Sequence, residues 1–120
     1  MLTPFVKTNI EVVNKKNNTS TDYDFYIGRP SVLGNPYTHL KSSKASKYLV
    51  PTRDEAIESY EQYFYDRLED EAFRDELKKI LELYKEHGKV NLVCWCKPKS
   101  CHGDYVKEYL EKVLRNEEVL

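Results

Sequence analysis

All three cysteines of this 120-residue chain, one of its three histidines and an aspartate lie within the stretch Val93-Cys-Trp-Cys-Lys-Pro-Lys-Ser-Cys-His-Gly-Asp104. On an extended chain Cys94 and Cys96 point to one face and Trp95 to the other. Cys101 and His102 stand just ahead of an amphipathic run, where unpaired backbone N–H groups and the helix dipole favour anions. The same position favours a thiolate, which makes Cys101 a candidate nucleophile. Histidine titrates near neutrality, so His102 is a candidate general acid or base, and Asp104 can orient it or act as the base itself. Each residue also has a plainer reading. Cys94 suits a small core position at a strand end, and His102 or Asp104 suits the cap of the helix that follows.

Cys94, Cys96, Cys101 and His102 also invite zinc. Their spacing, Cys-x-Cys-x4-Cys-His, is not the paired spacing of structural zinc sites, and adjacent residues seldom both turn toward one tetrahedral ion. The His-x-Glu and Pro-Cys-x-x-Cys pattern of zinc deaminases is missing. No cofactor is therefore expected, and a zinc-stabilised interaction module stands as the alternative of a different class.

A second constellation is Tyr26-Ile-Gly-Arg-Pro-Ser-Val-Leu-Gly-Asn-Pro-Tyr37. Gly28 lets backbone approach a ligand closely, and Arg29 offers a fork of donors for phosphate or carboxylate. Ser31 and Asn35 add polar groups. Arg53, at the head of a helical run, could join Arg29 around an anion. The segment is neither a dinucleotide-binding fingerprint nor a phosphate loop ending in Gly-Lys-Ser/Thr, and no nucleophile elbow surrounds Ser31 or Ser100. The plainer reading is a structural turn with a surface arginine.

The elements that must position these residues follow from pattern. Residues 10–13 and 24–27 are short β-rich runs, joined by a polar stretch that reads as a hairpin or a longer loop. Gly34-Asn35-Pro36 is a turn. Thr52 and Glu55 have the spacing of a capping box, so a helix starts there, with Ile57, Tyr60, Phe64 and Leu68 on one stripe. A second helix spans residues 71–86, with Phe73, Leu77, Ile80, Leu81 and Tyr84 inward and Gly88 as its C-terminal stop. Residues 91–95 form a third strand, and residues 103–115 a last helix with Val106, Leu110 and Val113 inward. If Phe25 and Val93 lie on neighbouring parallel strands, residues 28–35 and 94–104 meet at the strands' carboxyl ends.

The chain has the size of a single domain, residues 1–120. Its 19 basic and 20 acidic residues give a formal charge of −1 and a pI near 6.3, which argues against gripping nucleic acid by charge alone. Lys41, Lys44, Lys47, Lys97 and Lys99 still flank the candidate segments. No apolar run approaches the roughly 20 residues a membrane span needs, and the first residues lack the pattern of a secretory leader. Three clustered cysteines fit reduced thiols in a cytoplasmic protein better than a disulfide scaffold. Most of the ten tyrosines are expected at the boundary of the core. The polar helix faces leave room for a homo-oligomer.

Ile27-Gly-Arg-Pro-Ser, then Gly34-Asn-Pro-Tyr, then Arg53 with Ala56-Ile57 and Tyr60, then Cys94-Trp-Cys-Lys-Pro and Cys101-His-Gly-Asp resemble the domain of unknown function 4326 family in order and spacing. The resemblance covers about residues 26–114. It implies a small, stand-alone domain often encoded by phages and bacteria, of unassigned activity. The combined expectation is an α/β fold, a small mixed sheet of three or more strands packed with three helices, Rossmann-like. Such a domain would bind an anionic small molecule, a nucleotide or nucleotide derivative. Gly28, Arg29, Ser31, Asn35, Arg53, Cys94 and Cys96 would hold the ligand. Hydrolysis or group transfer would fall to His102 or Asp104, with Cys101 behind them. Without turnover, the same pocket would sequester a nucleotide signal during phage infection.

Overall fold

The computed structural model describes residues 8–16, 20–29, 31–38, 48–95 and 101–120. Its elements run β1 (Ile10–Asn14), β2 (Asp24–Tyr26), β3 (Tyr37–Thr38), β4 (Tyr48–Leu49), α1 (Arg53–Arg67), α2 (Glu71–His87), β5 (Val90–Cys94) and α3 (Gly103–Leu114). Strand β5 lies between β1 and β2, and both pairings are parallel. β1 and β2 therefore do not form a hairpin, because two strands that flank a third cannot be joined by a tight turn. Tyr26 pairs with Val93, and Phe25 with Leu92. The anticipated meeting of the β2 and β5 carboxyl ends is thus observed. Strands β3 and β4 form a separate two-stranded parallel ladder.

Side-chain alternation divides the main sheet. Ile10, Val90, Leu92 and Cys94, with Ile27 just beyond β2, join one apolar cluster. To it α1 contributes Tyr60 and Phe64, α2 contributes Phe73, Leu77 and Ile80, and α3 contributes Val106, Tyr109 and Leu110. All three helices therefore serve one face of the sheet. The opposite row, Val13–Val93–Tyr26 in register, lies outside that cluster. A doubly wound fold carries helices on both faces of a parallel sheet. Among the described residues the layering is one sheet under one helical layer.

The helix ends obey local chemistry. Thr52 Oγ1 accepts from the Glu55 backbone N–H at 3.1 Å, as the capping-box spacing predicts. Asp70 caps α2 through the Ala72 N–H at 2.9 Å. Gly88 stops α2 in the left-handed region at φ 73°, where a Cβ would be strained. Ile57 is only half-buried, and Ala56 takes its place on the inner face of α1. Among the described residues no helix is long and apolar enough to cross a membrane.

Candidate functional site

The start of α3 is fastened to the carboxyl ends of the strands. His102 Nε2 lies 2.7 Å from the Ile27 carbonyl oxygen. A carbonyl only accepts, so its partner fixes the tautomer with Nε2 as the donor. His102 Nδ1 faces Cys101 Sγ at 3.5 Å, and the Tyr60 ring meets the imidazole edge-on at 5.0 Å. The histidine is only 6% exposed. Gly103 comes next for a steric reason. A Cβ there would lie 2.7 Å from Ile27 Cδ1 and 2.9 Å from Val12 Cγ1, so only glycine lets α3 sit this low on β1 and β2.

Residues 101–104 also close the helix end. Cys101 Sγ accepts from the Gly103 N–H at 3.4 Å. Asp104 Oδ2 reaches back to the Cys101 N–H at 3.1 Å. His102 already has helical backbone angles and makes no side-chain capping bond. The result is a capping box with a thiol in the usual hydroxyl position. Asp104 thus serves the capping role anticipated for it or for His102. Cys101 and Cys94 are both fully buried, Cys94 within the core that faces the helices.

The glycine-punctuated turn after β2 is braced by its own polar side chains. Ser31 N–H donates to the Gly28 carbonyl and Gly34 N–H to that of Ser31, each at 2.9 Å. Arg29 Nε donates to the Asn35 carbonyl at 2.7 Å and Nη2 to that of Tyr37 at 3.1 Å. Asn35 is buried and bonds in two directions, with Nδ2 donating to the Ala56 carbonyl and Oδ1 accepting from the Tyr37 N–H, each at 2.9 Å. Tyr60 Oη donates to the Leu33 carbonyl at 2.6 Å. Arg29 and Asn35 therefore shape the turn and hang it on α1. Gly28 is buried against the Tyr26 ring. Ser31 Oγ is buried and finds no hydrogen-bond partner among the described residues.

Beside this hub a groove of about 320 Å³ opens between the first turns of α1 and α3. It is lined by Asp54, Ile57, Glu58, Cys101, Asp104, Tyr105 and Glu108. Arg53 begins α1, one residue before Asp54. Asp54 and Glu58 on α1, like Asp104 and Glu108 on α3, are four residues apart, so each pair shares one helix face. The site is more acidic than the motifs suggested. Asp54, Glu58, Tyr105 and Glu108 escaped the sequence reading, because charges at helical spacing ordinarily mark a solvated face. Burial pushes the Tyr105 phenol up from its ordinary range, and the carboxylates of Glu61, Glu58, Glu108 and Asp104 push it further.

Of the anticipated zinc ligands, Cys101 and His102 are in contact, Cys94 is in the core, and Cys96 lies outside the described residues, as do Lys41, Lys44, Lys47, Lys97 and Lys99. Among the described residues no three His, Cys, Asp or Glu side chains are placed to hold a metal ion.

A protein-family model described as "Domain of unknown function (DUF4326)" matches residues 10–112. The match agrees with the resemblance carried by the four motifs and extends it back to include β1. No curated protein and no solved structure matches the chain.

Proposed function

The chain belongs to the DUF4326 family, and from the geometry at its strand ends we propose that it binds a nucleotide or nucleotide derivative at the carboxyl edge of the parallel sheet. The observation that carries this reading is the groove at the start of α3, beyond the carboxyl end of β5. Open parallel sheets bind ligands at that edge. At about 320 Å³ the groove falls at the lower end of the ~300–1,000 Å³ typical of small-molecule sites. Its four carboxylates accept hydrogen bonds from sugar hydroxyls, and they repel phosphate. The sugar then faces the groove, and the phosphate lies outside it.

Catalysis, where it occurs, is hydrolysis or group transfer with Asp104 as general acid or base. Asp104 is half-buried on the groove wall, whereas both ring nitrogens of His102 are engaged within the protein. His102 is then a positioning residue, and the buried Cys101 stands behind Asp104. Three clustered cysteines fit a reducing cytoplasmic setting. In the phage context the family resemblance implies, a binder without turnover would withdraw a nucleotide signal.

The test is isothermal titration calorimetry with adenosine and guanosine monophosphates, followed by chromatography of the recovered nucleotide. Saturable binding that weakens at least fivefold in Asp104→Asn supports the site. A product absent from the Asp104→Asn reaction makes the protein an enzyme, and intact nucleotide makes it a sequestering binder. No heat with any nucleotide at millimolar concentration overturns the proposal.

A further inference from the structure

The helix-free face of the sheet carries a cluster that the groove does not use. Lys15, Tyr26 and Trp95 stand at the carboxyl ends of β1, β2 and β5, above the Val13–Val93–Tyr26 row. Trp95 is 50% exposed. Its Nε1–H donates to Tyr26 Oη at 3.0 Å, and Tyr26 Oη donates onward to the Arg29 carbonyl at 2.7 Å. Asn14 Nδ2 donates to the Trp95 carbonyl at 3.1 Å. The indole is thus fixed at its polar edge and through its backbone. Lys15 Nζ stands 5.0 Å from the Tyr26 ring centroid and 5.5 Å from that of Trp95.

We propose that Trp95 and Tyr26 form a stacking platform for the base of the bound nucleotide, with Lys15 pairing with its phosphate, an inference that rests on the nucleotide reading above. Stacking needs a flat aromatic surface held in one orientation, and the hydrogen-bond chain from Trp95 through Tyr26 to Arg29 provides it. Base stacking tolerates different bases and draws its affinity from the exposed ring face. The lysine supplies charge complementarity that the acidic groove lacks. A cation held over two rings exchanges one weak partner for a stronger one when a phosphate arrives.

Trp95 is the single tryptophan, so its fluorescence reports on the platform directly. AMP, adenosine and ribose 5-phosphate are titrated with absorbance correction, and affinities are measured in parallel by calorimetry. The platform predicts saturable quenching by AMP and adenosine and none by ribose 5-phosphate. Trp95→Ala should weaken AMP about tenfold, with Trp95→Phe recovering part of the loss. Lys15→Gln should weaken AMP while leaving adenosine unchanged. Trp95 lies outside the core, and a thermal melt by circular dichroism confirms that each variant folds. AMP binding unchanged in Trp95→Ala overturns the platform and leaves the edge site standing. Absence of binding to the wild type by AMP and by guanosine monophosphate overturns both. A dimer that Trp95→Ala dissociates gives the face to a second copy and also overturns the platform.

Discussion

Gly103 sets how closely the last helix approaches the sheet. Of the two atoms its missing Cβ would meet closer than 3.0 Å, Ile27 Cδ1 ends a flexible side chain, but Val12 Cγ1 belongs to a stiff β-branched one. Gly103→Ala should therefore cost about 1–3 kcal/mol in urea unfolding, although alanine is the better helix former. An unchanged or raised midpoint would mean that α3 can lift without cost. The histidine beside it was legible as chemistry, but its partners were not. Sequence reading offered acid, base or cap for His102, whereas its nitrogens face Ile27 and Cys101. Likewise Arg29 and Asn35 were read as ligand donors, and they donate to carbonyls of Asn35, Tyr37 and Ala56. A donor's type is written in the sequence, but which acceptor it reaches depends on where the turn folds back.

Elements fixed by local chemistry were readable in advance. Thr52 caps α1, Gly88 ends α2, and α3 begins at Gly103 because each signal acts within one helical turn. Strands β3 and β4 were not anticipated. Each is two residues long, and each is defined only by pairing across the chain, Tyr37 with Tyr48 and Thr38 with Leu49. The acidic groove was hidden for a related reason, since two ordinary helix faces become a site only when α1 and α3 oppose each other. Asn35 ties the turn after β2 to α1, alongside Tyr60 on the Leu33 carbonyl. Asn35→Ala removes its bond to the Ala56 carbonyl and orphans the Tyr37 N–H. The expected loss is about 1–3 kcal/mol, or a Tm lower by roughly 4–12 °C for a domain of this size. A melt within experimental error of the wild type would show that the turn is held by other contacts.

At the scale of the molecule, the core under the helical layer includes two tyrosines among the described residues, Tyr60 and Tyr109. Boundary packing describes Tyr48 and Tyr65, which are exposed, but Tyr60 is fully buried and Tyr109 nearly so. Tyr60 joins the whole hub, with its hydroxyl on the Leu33 carbonyl and its ring against His102, Phe64 and Tyr105. Burial raises its phenol well above the ordinary value of 10.0, with smaller contributions from Tyr63 and Cys101. The unfolded chain therefore releases this proton near pH 10 while the native state keeps it, so the native state binds more protons there. Stability contributed by the neutral phenol is intact below pH 10 and falls as pH climbs toward the raised native value. The slope is about 1.4 kcal/mol per pH unit for each such proton. Tyr63, Tyr105 and Tyr109 are raised in the same direction, each chiefly by burial. Urea midpoints measured from pH 8 to 11 should hold level and then decline. Tyr60→Phe should start lower for want of the Leu33 bond and decline less steeply by one proton. A parallel decline in the variant would place the titrating group elsewhere, and a flat wild-type profile would show that Tyr60 is not sealed from solvent.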